Sequence, residues 1–316
     1  MPAISVIICT HNPREDYLKR VLDALRAQTL AKDQWELLLI DNASAKTLSQ
    51  TWDLSWHPQA RHVREEKLGL TPARLSGIAS AKGELLVFVD DDNVLRGDYL
   101  QNALKIGGDY PWLGAWSGSC LAEFETTPAA ELGPWLGGLV IETIQVPVWA
   151  KLPKLNTACP AGGGMVVRHQ QASLYRDMVL KDPVRQALDR CGKQLGSGGD
   201  SDMVLSGFQL GYGAGKFPEL EMTHLIPPQR LTLPYLEGLY EGFGHAGVIL
   251  DYIYHAGDPI GGGNRFGGLR CHFKRFLWLL AGKPPVERRI RYAIEKGRQR
   301  ARTELLQAKQ CLSGQK

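Results

Sequence analysis

The chain has 316 residues, of which 44% are hydrophobic and 22% are charged, with 35 Gly and 18 Pro. This composition is typical of a globular protein, and it excludes disorder, collagen and coiled coil for most of the chain. No apolar stretch approaches the ~20 residues that a membrane-spanning helix needs, and a formal net charge of +4 indicates no class of partner by itself.

The first hundred residues alternate between strand and helix patterns. A β-branched, apolar run over 4–9 predicts a strand, and a polar segment follows it. Asn12 is predicted to be the N-cap of the next helix, because Pro13 fits its first position and Glu15 its third. Apolar residues at helical spacing then indicate the helix itself, namely Leu18, Val21, Leu22 and Leu25.

Three more strand patterns follow in this part of the chain. Apolar runs cover 35–40 and 84–89, and a shorter run covers 61–64. Near-continuous apolar strands separated by helices predict a parallel α/β sheet that is covered on both faces. Asp41 follows one strand and Asp90 another, so both are expected at the edge where open α/β sheets bind ligands.

The second half of the chain is patterned less strongly. Helices are predicted over 183–190 and 201–210, and helical patterns return from residue 228 to 255. We therefore expect a nucleotide-binding and catalytic domain over residues 1–225. A mainly helical C-terminal extension is expected over 226–316, and it is basic from residue 265 onwards.

The cysteines and the first residues indicate a cellular compartment. Six cysteines are widely scattered and form no CxxC pair, unlike a zinc site or a disulfide framework. No basic segment followed by an apolar one precedes the first strand, so no secretory signal is predicted. The expected location is the cytoplasm, and peripheral attachment to the inner face of the membrane stays open.

Three consecutive acids, Asp90, Asp91 and Asp92, are the sharpest chemical feature of the sequence. Carboxylates placed side by side at a strand end repel one another, so a compensating cation is expected. Oxygen ligands favour Mg2+ or Mn2+, which commonly bridges carboxylates to the phosphates of a nucleotide. The alternative is that the acids are solvated and cap a helix over 97–106, although three acids exceed what one cap requires.

Four segments of the first hundred residues follow one another in a recognisable order. They are ISVIICTHN at 4–12, IDNAS at 40–44, LGLTPAR at 68–74 and GELLVFVDDD at 83–92. Their order and spacing resemble family 2 glycosyltransferases, strongly over about residues 3–100 and more weakly as far as His224. The resemblance implies a GT-A fold, which is Rossmann-like α/β with a mostly parallel central sheet and flanking helices. It also implies a nucleotide-sugar donor and a divalent metal.

The resemblance further implies a nucleotide-binding set at the strand ends. Its members are Thr10, His11, Asn12, Asp41, Asn42, Arg74, Asp90 and Asp91. Asp41 matches the acid that hydrogen-bonds the base, usually uracil, and Asp91 is expected to contact the ribose. Arg74 matches a basic residue near the donor phosphates, with an Arg on a helix surface as the alternative. The implied metal ligands are Asp92, Asp90 and His224, although a lone His is more often structural.

In the second half, the resemblance implies a sugar pocket and a general base. Gly163 and Gly164 match a glycine-rich segment that lines the pocket, with a plain turn as the alternative. Asp200 matches the base, although Gly199 stands where the family usually has Glu, and a helix cap is the alternative. Asp202 is a second candidate, for the base or for the acceptor pocket.

The expected activity is inverting transfer of a sugar from a nucleotide-diphosphate sugar to a hydroxyl acceptor, in the EC 2.4 class. UDP follows from the family's habit, and cell-envelope or polysaccharide biosynthesis is the expected setting. Two alternatives stay open. One is a catalytically inactive module that binds a sugar-nucleotide and acts through partners, which Gly199 favours. The other is a nucleotidyltransferase, although the glycine- and basic-rich loop of such enzymes is missing after the first strand.

Residues 265–316 carry most of the positive charge. They contain fourteen Lys and Arg against three Glu, a net charge of +11, which leaves −7 for the first 264 residues. Apolar residues at 269–280 are interleaved with basic ones, which predicts a surface helix suited to anionic lipid and a glycan or lipid-linked acceptor. The alternative is a helix that packs on the catalytic domain. Nucleic acid is not expected, because no recognition module accompanies the charge.

Overall fold

The computed structural model describes residues 1–151, 157–190, 195–254 and 282–313. The strands in these ranges are β1 (Ile4–Thr10), β2 (Trp35–Asn42), β3 (Ala60–Glu65), β4 (Leu85–Val89), β5 (Asn93–Leu95), β6 (Leu113–Phe124), β7 (Val148–Ala150), β8 (Val166–Arg168) and β9 (Gly213–Ile226). The helices are α1 (Glu15–Arg26), α2 (Leu70–Ser80), α3 (Tyr99–Asp109), α4 (His169–Lys181), α5 (Pro183–Gln186), α6 (Gly199–Gly207), α7 (Leu233–Tyr254) and α8 (Pro285–Ser313).

The described strands form one mixed sheet in the order β3-β2-β1-β4-β8-β6-β9-β5, with β7 paired to β9. β1 is parallel to both β2 and β4, and β2 is parallel to β3, as the apolar runs predict. Beyond β4 the sheet changes character, because β8 is antiparallel to β4 and β6, and β5 and β7 are antiparallel to β9. β6 and β9 are parallel to each other.

Helices cover both faces of this sheet, which explains the continuous apolar strands. Successive side chains of β1 point to opposite faces, so Val6 packs with α1 and α3, whereas Ile7 packs with α2, α4 and α6. The apolar positions predicted for α1 are all buried, and they are Leu18, Val21, Leu22 and Leu25. A strand that must be apolar on both faces shows no alternation of polar residues.

Helix α1 begins at Glu15 with Arg14 as its N-cap, so the prediction that Asn12 caps this helix is wrong. Asn12 has a φ of 48° and binds the loop after β2 instead. Its Oδ1 accepts a hydrogen bond from the Ala45 N–H at 2.8 Å, and its own N–H donates to Ser44 Oγ at 3.0 Å. A contact between two loops therefore replaces the local capping motif.

The chain divides into two compact units, and the predicted boundary at residue 225 stays a prediction. The first unit holds Met1–Glu125, Leu139–Gln186 and Gly199–Ile226, and with them the whole sheet. The second unit holds Thr126–Gly138, Ala187–Gly198 and Pro227–Lys316. Its described helices, α7 and α8, confirm the expected helical C-terminal region.

In the second unit, α7 and α8 lie side by side and run in the same direction. Their backbones touch, since a Cβ added at Gly297 on α8 would overlap the carbonyl oxygen of Glu241 on α7. Acids of α7 pair with bases of α8: Glu237 with Arg289 at 2.6 Å, and Glu241 with Arg300 at 2.9 Å. Part of the positive charge of the C-terminal region is therefore balanced inside this helix pair.

One expectation for the C-terminal region concerns residues that the structure does not describe. The apolar and basic segment over 269–280 lies outside the described ranges. Among the helices that are described, none has the length and apolarity needed to cross a bilayer.

Candidate active site

The carboxyl ends of β1, β2 and β4 bring the predicted nucleotide-binding segments into contact. Thr10 at the end of β1 donates a hydrogen bond from Oγ1 to the carboxylate of Asp91, which follows β4. His11 Nδ1 lies 2.7 Å from the carbonyl oxygen of Asn42, the last residue of β2. Segments far apart in the sequence therefore meet at one sheet edge, as parallel strands require.

Asp41 anchors the loop after β2. Its buried carboxylate accepts hydrogen bonds from the N–H groups of Ser44 and Leu48, both at 3.0 Å, and from Arg64 Nη1 at 2.8 Å. Burial alone would raise the pKa of Asp41, but the hydrogen bonds from Leu48, Ser44 and Arg64 outweigh it and lower the pKa below its ordinary value. A contact from Asp41 to a nucleobase stays a prediction.

Asn42 holds the segment that leads into α2. Its Nδ2 donates to the carbonyl oxygens of Glu65 at 3.2 Å and Lys67 at 2.8 Å, and its Oδ1 accepts from the Gly69 N–H at 2.8 Å. These three bonds use both amide protons and one lone pair within the chain. A contact from Asn42 to the nucleotide stays a prediction.

Asp92 and His224 face each other at the junction of β4 and β9. Asp92 Oδ2 lies 3.6 Å from His224 Nε2, and both side chains are buried. His224 Nδ1 lies 3.0 Å from the carbonyl oxygen of Leu139, so Nε2 is the ring nitrogen that faces Asp92. This pairing of imidazole nitrogen with carboxylate oxygen suits a divalent cation.

The donor set fits a metal that is completed by a substrate. Within the described ranges, no three His, Cys, Asp or Glu side chains are arranged to hold an ion by themselves. Asp92 and His224 would supply two ligands, and Mg2+ typically takes one or two carboxylates together with phosphate oxygens. Which of the predicted ligands bind an ion, Asp90 included, stays a prediction.

The thiol of Cys120 registers the negative potential of this region. Burial raises its pKa first, and the charges of Asp92, Asp90 and Glu142 raise it further, to about 12. Carboxylates that raise the pKa of a neighbouring acid must themselves create a negative potential there. A bound cation would offset that potential.

The glycine-rich segment contacts both Arg74 on α2 and Asp200 at the start of α6. The Gly162 N–H donates to Asp200 Oδ2 at 3.0 Å, and the Ser201 N–H donates to Asp200 Oδ1 at 2.7 Å. The guanidinium of Arg74 lies against Gly162, since a Cβ added there would be 2.6 Å from Arg74 Nη2. Arg74 is buried, so the alternative of a surface Arg is wrong. Gly164 has a φ of 71°, which favours glycine.

Asp202 is not placed as a second general base or as an acceptor-pocket residue. Its side chain is completely buried, and its Oδ1 accepts a charged hydrogen bond from Arg185 Nη1. Arg185 also lies 3.5 Å from Asp182 Oδ2. A carboxylate that is enclosed and ion-paired in this way holds α5 against α6, whereas a base must reach a substrate proton.

Backbone strain is concentrated in the segments that build this site. In the parts of the chain that the structure describes, the non-glycine residues with positive φ are Asn12, Ala43 and Val140. Asn12 and Ala43 belong to the loops after β1 and β2, and Val140 follows the carbonyl that holds His224. Strained residues of this kind cluster at functional sites, because the surrounding structure must hold them in place.

Several residues in contact with the site are absent from the predicted set. Arg64 pairs with Asp41, and Asn93 donates to Asp92. Arg185, which pairs with the buried Asp202, is also absent from that set. Arg64 could have been found from strand register, because it lies opposite Asp41 in the β2–β3 pair. Asn93 gives a weaker signal, as an amide directly after three acids, and Arg185 gives none.

Comparison with known proteins now adds independent information. The family model described as Glycosyl transferase family 2 matches residues 5–182, which is more than half of the chain. The chain belongs to glycosyl transferase family 2. This confirms the resemblance of the four segments in the first hundred residues.

Relatives of this family 2 chain match it over part of their length. EpsH of Bacillus subtilis is 30% identical over 110 residues, which cover 34% of this chain and 31% of EpsH. The glycosyltransferase AglE of Haloferax volcanii is 30% identical over 95 residues, which cover 29% of this chain and 31% of AglE. The chain thus matches about a third of the length of these two relatives.

Solved structures match this family 2 chain over nearly its whole length. The crystal structure of residues 1–349 of S. aureus TarS in complex with UDP has a TM-score of 0.51 and 14% identity, and the match covers 98% of this chain and 92% of the TarS chain. A longer TarS structure gives a TM-score of 0.51 at 13% identity. At this level of identity the likeness concerns the fold, and it confirms the expected GT-A fold.

Proposed function

We propose that this chain is an inverting glycosyltransferase that moves a sugar from a UDP-sugar to a hydroxyl acceptor. The observation that carries the proposal is one connected set of contacts at the sheet edge. Thr10 binds Asp91, the adjacent Asp92 faces His224, and the glycine segment binds Asp200. Membership of family 2 supports the same activity.

The proposed donor site lies along the ends of β1, β2 and β4. The loop of Asn12 and the loop of Asp41 are held to each other by two hydrogen bonds, which would give a rigid wall for a nucleoside. The solved TarS structure of similar fold is a complex with UDP, which supports uracil as the base. The buried guanidinium of Arg74 would bind donor phosphates.

Asp92 and His224, with Asp90 nearby in sequence, are the proposed holders of Mg2+ or Mn2+. When bound, such an ion supplies positive charge that stabilises a departing diphosphate. Asp200 is the proposed general base: its carboxylate would take the proton of the acceptor hydroxyl while that oxygen attacks the anomeric carbon from the side opposite the diphosphate. The Gly162 and Ser201 N–H groups would hold the carboxylate in place for this transfer.

The proposal is tested by separating nucleotide binding from turnover. We expect UDP with Mn2+ to raise the melting temperature of the full chain, because a ligand stabilises the state that binds it. Asp200→Asn should keep this shift and lose slow Mn2+-dependent hydrolysis of UDP-sugars. Asp92→Ala should weaken the Mn2+-dependent part of UDP binding. Asp177→Asn, on the exposed face of α4, is the matched control and should change neither measurement.

Three outcomes would contradict parts of the proposal. Retained hydrolysis in Asp200→Asn would remove Asp200 as the base. Binding of UDP-sugars without hydrolysis or transfer by the wild type would favour the inactive binding module, for which Gly199 is the sequence signal. Release of pyrophosphate from a nucleoside triphosphate and a sugar phosphate would favour the nucleotidyltransferase.

The proposed acceptor is a glycan or a lipid-linked glycan, with residues 265–316 contacting an anionic membrane surface. The charge of +11 over these residues supports such a contact. Flotation of the full chain with vesicles that contain anionic lipid, compared with neutral vesicles, tests it. Equal flotation with both kinds of vesicle would contradict the electrostatic contact.

A further inference from the structure

We propose that Asn93 is a positioning residue that sets the orientation of the Asp92 carboxylate, and that Gly163 is glycine because it leaves room for the Asn93 amide. This inference rests on the proposed function, in which Asp92 helps to hold a divalent ion beside the donor diphosphate. It concerns a residue that the motif order does not single out, at the point where three parts of the site meet.

A hydrogen bond joins the neighbouring side chains of Asn93 and Asp92. Asn93 Nδ2 donates to Asp92 Oδ1 at 3.0 Å, and the Asn93 side chain is only 2% exposed. The other carboxylate oxygen, Oδ2, is the one that lies 3.6 Å from His224 Nε2. The amide therefore determines which oxygen of Asp92 is turned towards the imidazole.

Strand pairing and main-chain hydrogen bonds fix the backbone on both sides of Asn93. Asn93 is the first residue of β5, and it is the register partner of His224 in the antiparallel β5–β9 pair. The Leu225 N–H donates to the Asp92 carbonyl oxygen at 2.9 Å, and the Asn93 N–H donates to that of Asp90 at 3.1 Å. The main chain on both sides of Asn93 is thus fixed, so the amide has a rigid base from which to act.

The Asn93 side chain also contacts the glycine-rich segment at Gly163. A Cβ added at Gly163 would overlap Asn93 Oδ1, so the amide occupies the space where a side chain would start. After this oxygen, the nearest neighbours of such a Cβ would be Asn93 Cγ and Met222 Cε, each at 3.3 Å. An alanine at 163 would therefore push mainly on the end of the Asn93 side chain. The amide would then rotate away from Asp92.

The arrangement resembles the outer ligand shells of metal sites in general. Groups that hydrogen-bond a metal ligand fix its orientation, and their loss typically weakens metal affinity about 10–100-fold. His224 has such a partner in the Leu139 carbonyl, and Asp92 has one in Asn93. Asp92 and His224 therefore each have a polar partner on the side away from the other residue.

The test is a titration of the full chain with Mn2+ at saturating UDP, followed through the electron paramagnetic resonance signal of unbound Mn2+. We expect Asn93→Ala to raise the Kd for Mn2+ about 10–100-fold. Asn102→Ala is the matched control, because Asn102 on α3 is another Asn whose amide donates a hydrogen bond, here to the Glu219 carbonyl oxygen at 3.0 Å. This variant should bind Mn2+ like the wild type.

A double-mutant cycle separates positioning from a general loss of structure. Gly163→Ala should weaken Mn2+ binding in the wild type, because it displaces the amide without deleting it. In the Asn93→Ala background the same substitution should have little further effect, since the oxygen it would strike is gone. Should Asn93→Ala fail to fold, Gly163→Ala alone carries the test.

The outcomes distinguish this inference from the proposed function. If the wild type shows no Mn2+-dependent binding of UDP, both the metal part of the proposed function and the role of Asn93 are wrong. If the wild type binds Mn2+ and Asn93→Ala stays within twofold of it, the inference alone is overturned. Strictly additive effects of the two substitutions would overturn the link between Asn93 and Gly163.

Discussion

Replacing Arg185 with Met would leave the carboxylate of Asp202 in the protein interior without the cation beside it. Asp202 is fully buried, and the Arg185 side chain is 8% exposed. Removing one partner of a buried ion pair typically costs about 3–5 kcal/mol, because the remaining charge stays in a medium of low dielectric constant. With a urea m-value of about 3 kcal/mol/M, the unfolding midpoint should fall by roughly 1–1.7 M.

Two companion variants show whether the charge or the shape matters. Arg185→Met combined with Asp202→Leu removes both charges and keeps apolar volume, so most of the lost stability should return. Asp200→Asn, two residues from the pair, should abolish turnover and lower the midpoint much less than Arg185→Met, because the Asn oxygen can keep one of the two backbone N–H bonds that Asp200 accepts.

The assay is urea unfolding followed by tryptophan fluorescence, with hydrolysis of a UDP-sugar measured on the same samples. An Arg185→Met variant that unfolds within about 1 kcal/mol of the wild type would refute this expectation, since removing one partner of a buried ion pair typically costs more. Loss of turnover in Asp202→Asn at an unchanged midpoint would also refute it, and would move the general base from Asp200 to Asp202.

Three further predictions concern stability. Burial lowers the pKa of His57 from 6.5 to about 4, so between these pH values the unfolded chain binds a proton that the folded chain does not. The free energy of unfolding should therefore fall by about 3 kcal/mol from pH 6.5 to 4. Urea unfolding of His57→Phe should show a smaller dependence of this free energy on pH. Gly297→Ala should lower the melting temperature through a cost of about 1–3 kcal/mol, because its Cβ meets the Glu241 carbonyl, whereas Gly247→Ala on open α7 surface should not. Because the pKa of Asp41 is lowered in the folded chain, the ionised carboxylate stabilises the fold above the ordinary pKa of Asp. This stabilisation is lost as the pH falls through the folded-state pKa. Asp41→Asn should therefore lower the free energy of unfolding at pH 7 and make that free energy fall less in acid.

The parallel half of the sheet could be predicted because its physical cause is local. Strands buried on both faces must be apolar at nearly every position, and β1, β2 and β4 are. Polar residues directly after them, such as Thr10 and Asp91, then meet because parallel strands end at one edge. The antiparallel strands β7 and β8 have three residues each, which is too short for any periodic pattern.

The remaining differences arise from contacts between distant segments. Asn12 has the right neighbours for an N-cap, but its side chain binds Ala45, and this contact cannot be read from 12–15. The sequence leaves Asp202 as a second candidate beside Asp200, because only the fold brings Arg185 to it from seventeen positions away. The position of Asn93 between Asp92 and Gly163 cannot be predicted from the sequence, because Gly163 belongs to another motif seventy positions away.

The close packing of α7 on α8 decides how a membrane experiment should be designed. A truncated chain that ends near residue 261 would lack α8, so Glu237 and Glu241 would lose the bases that pair with them and the backbone face at Gly244 would be uncovered. Such a protein could adhere to vesicles, or fail to, for reasons of misfolding. Neutralising Arg270, Lys274 and Arg275 in the full chain removes charge while keeping the residues of the Glu237–Arg289 and Glu241–Arg300 ion pairs.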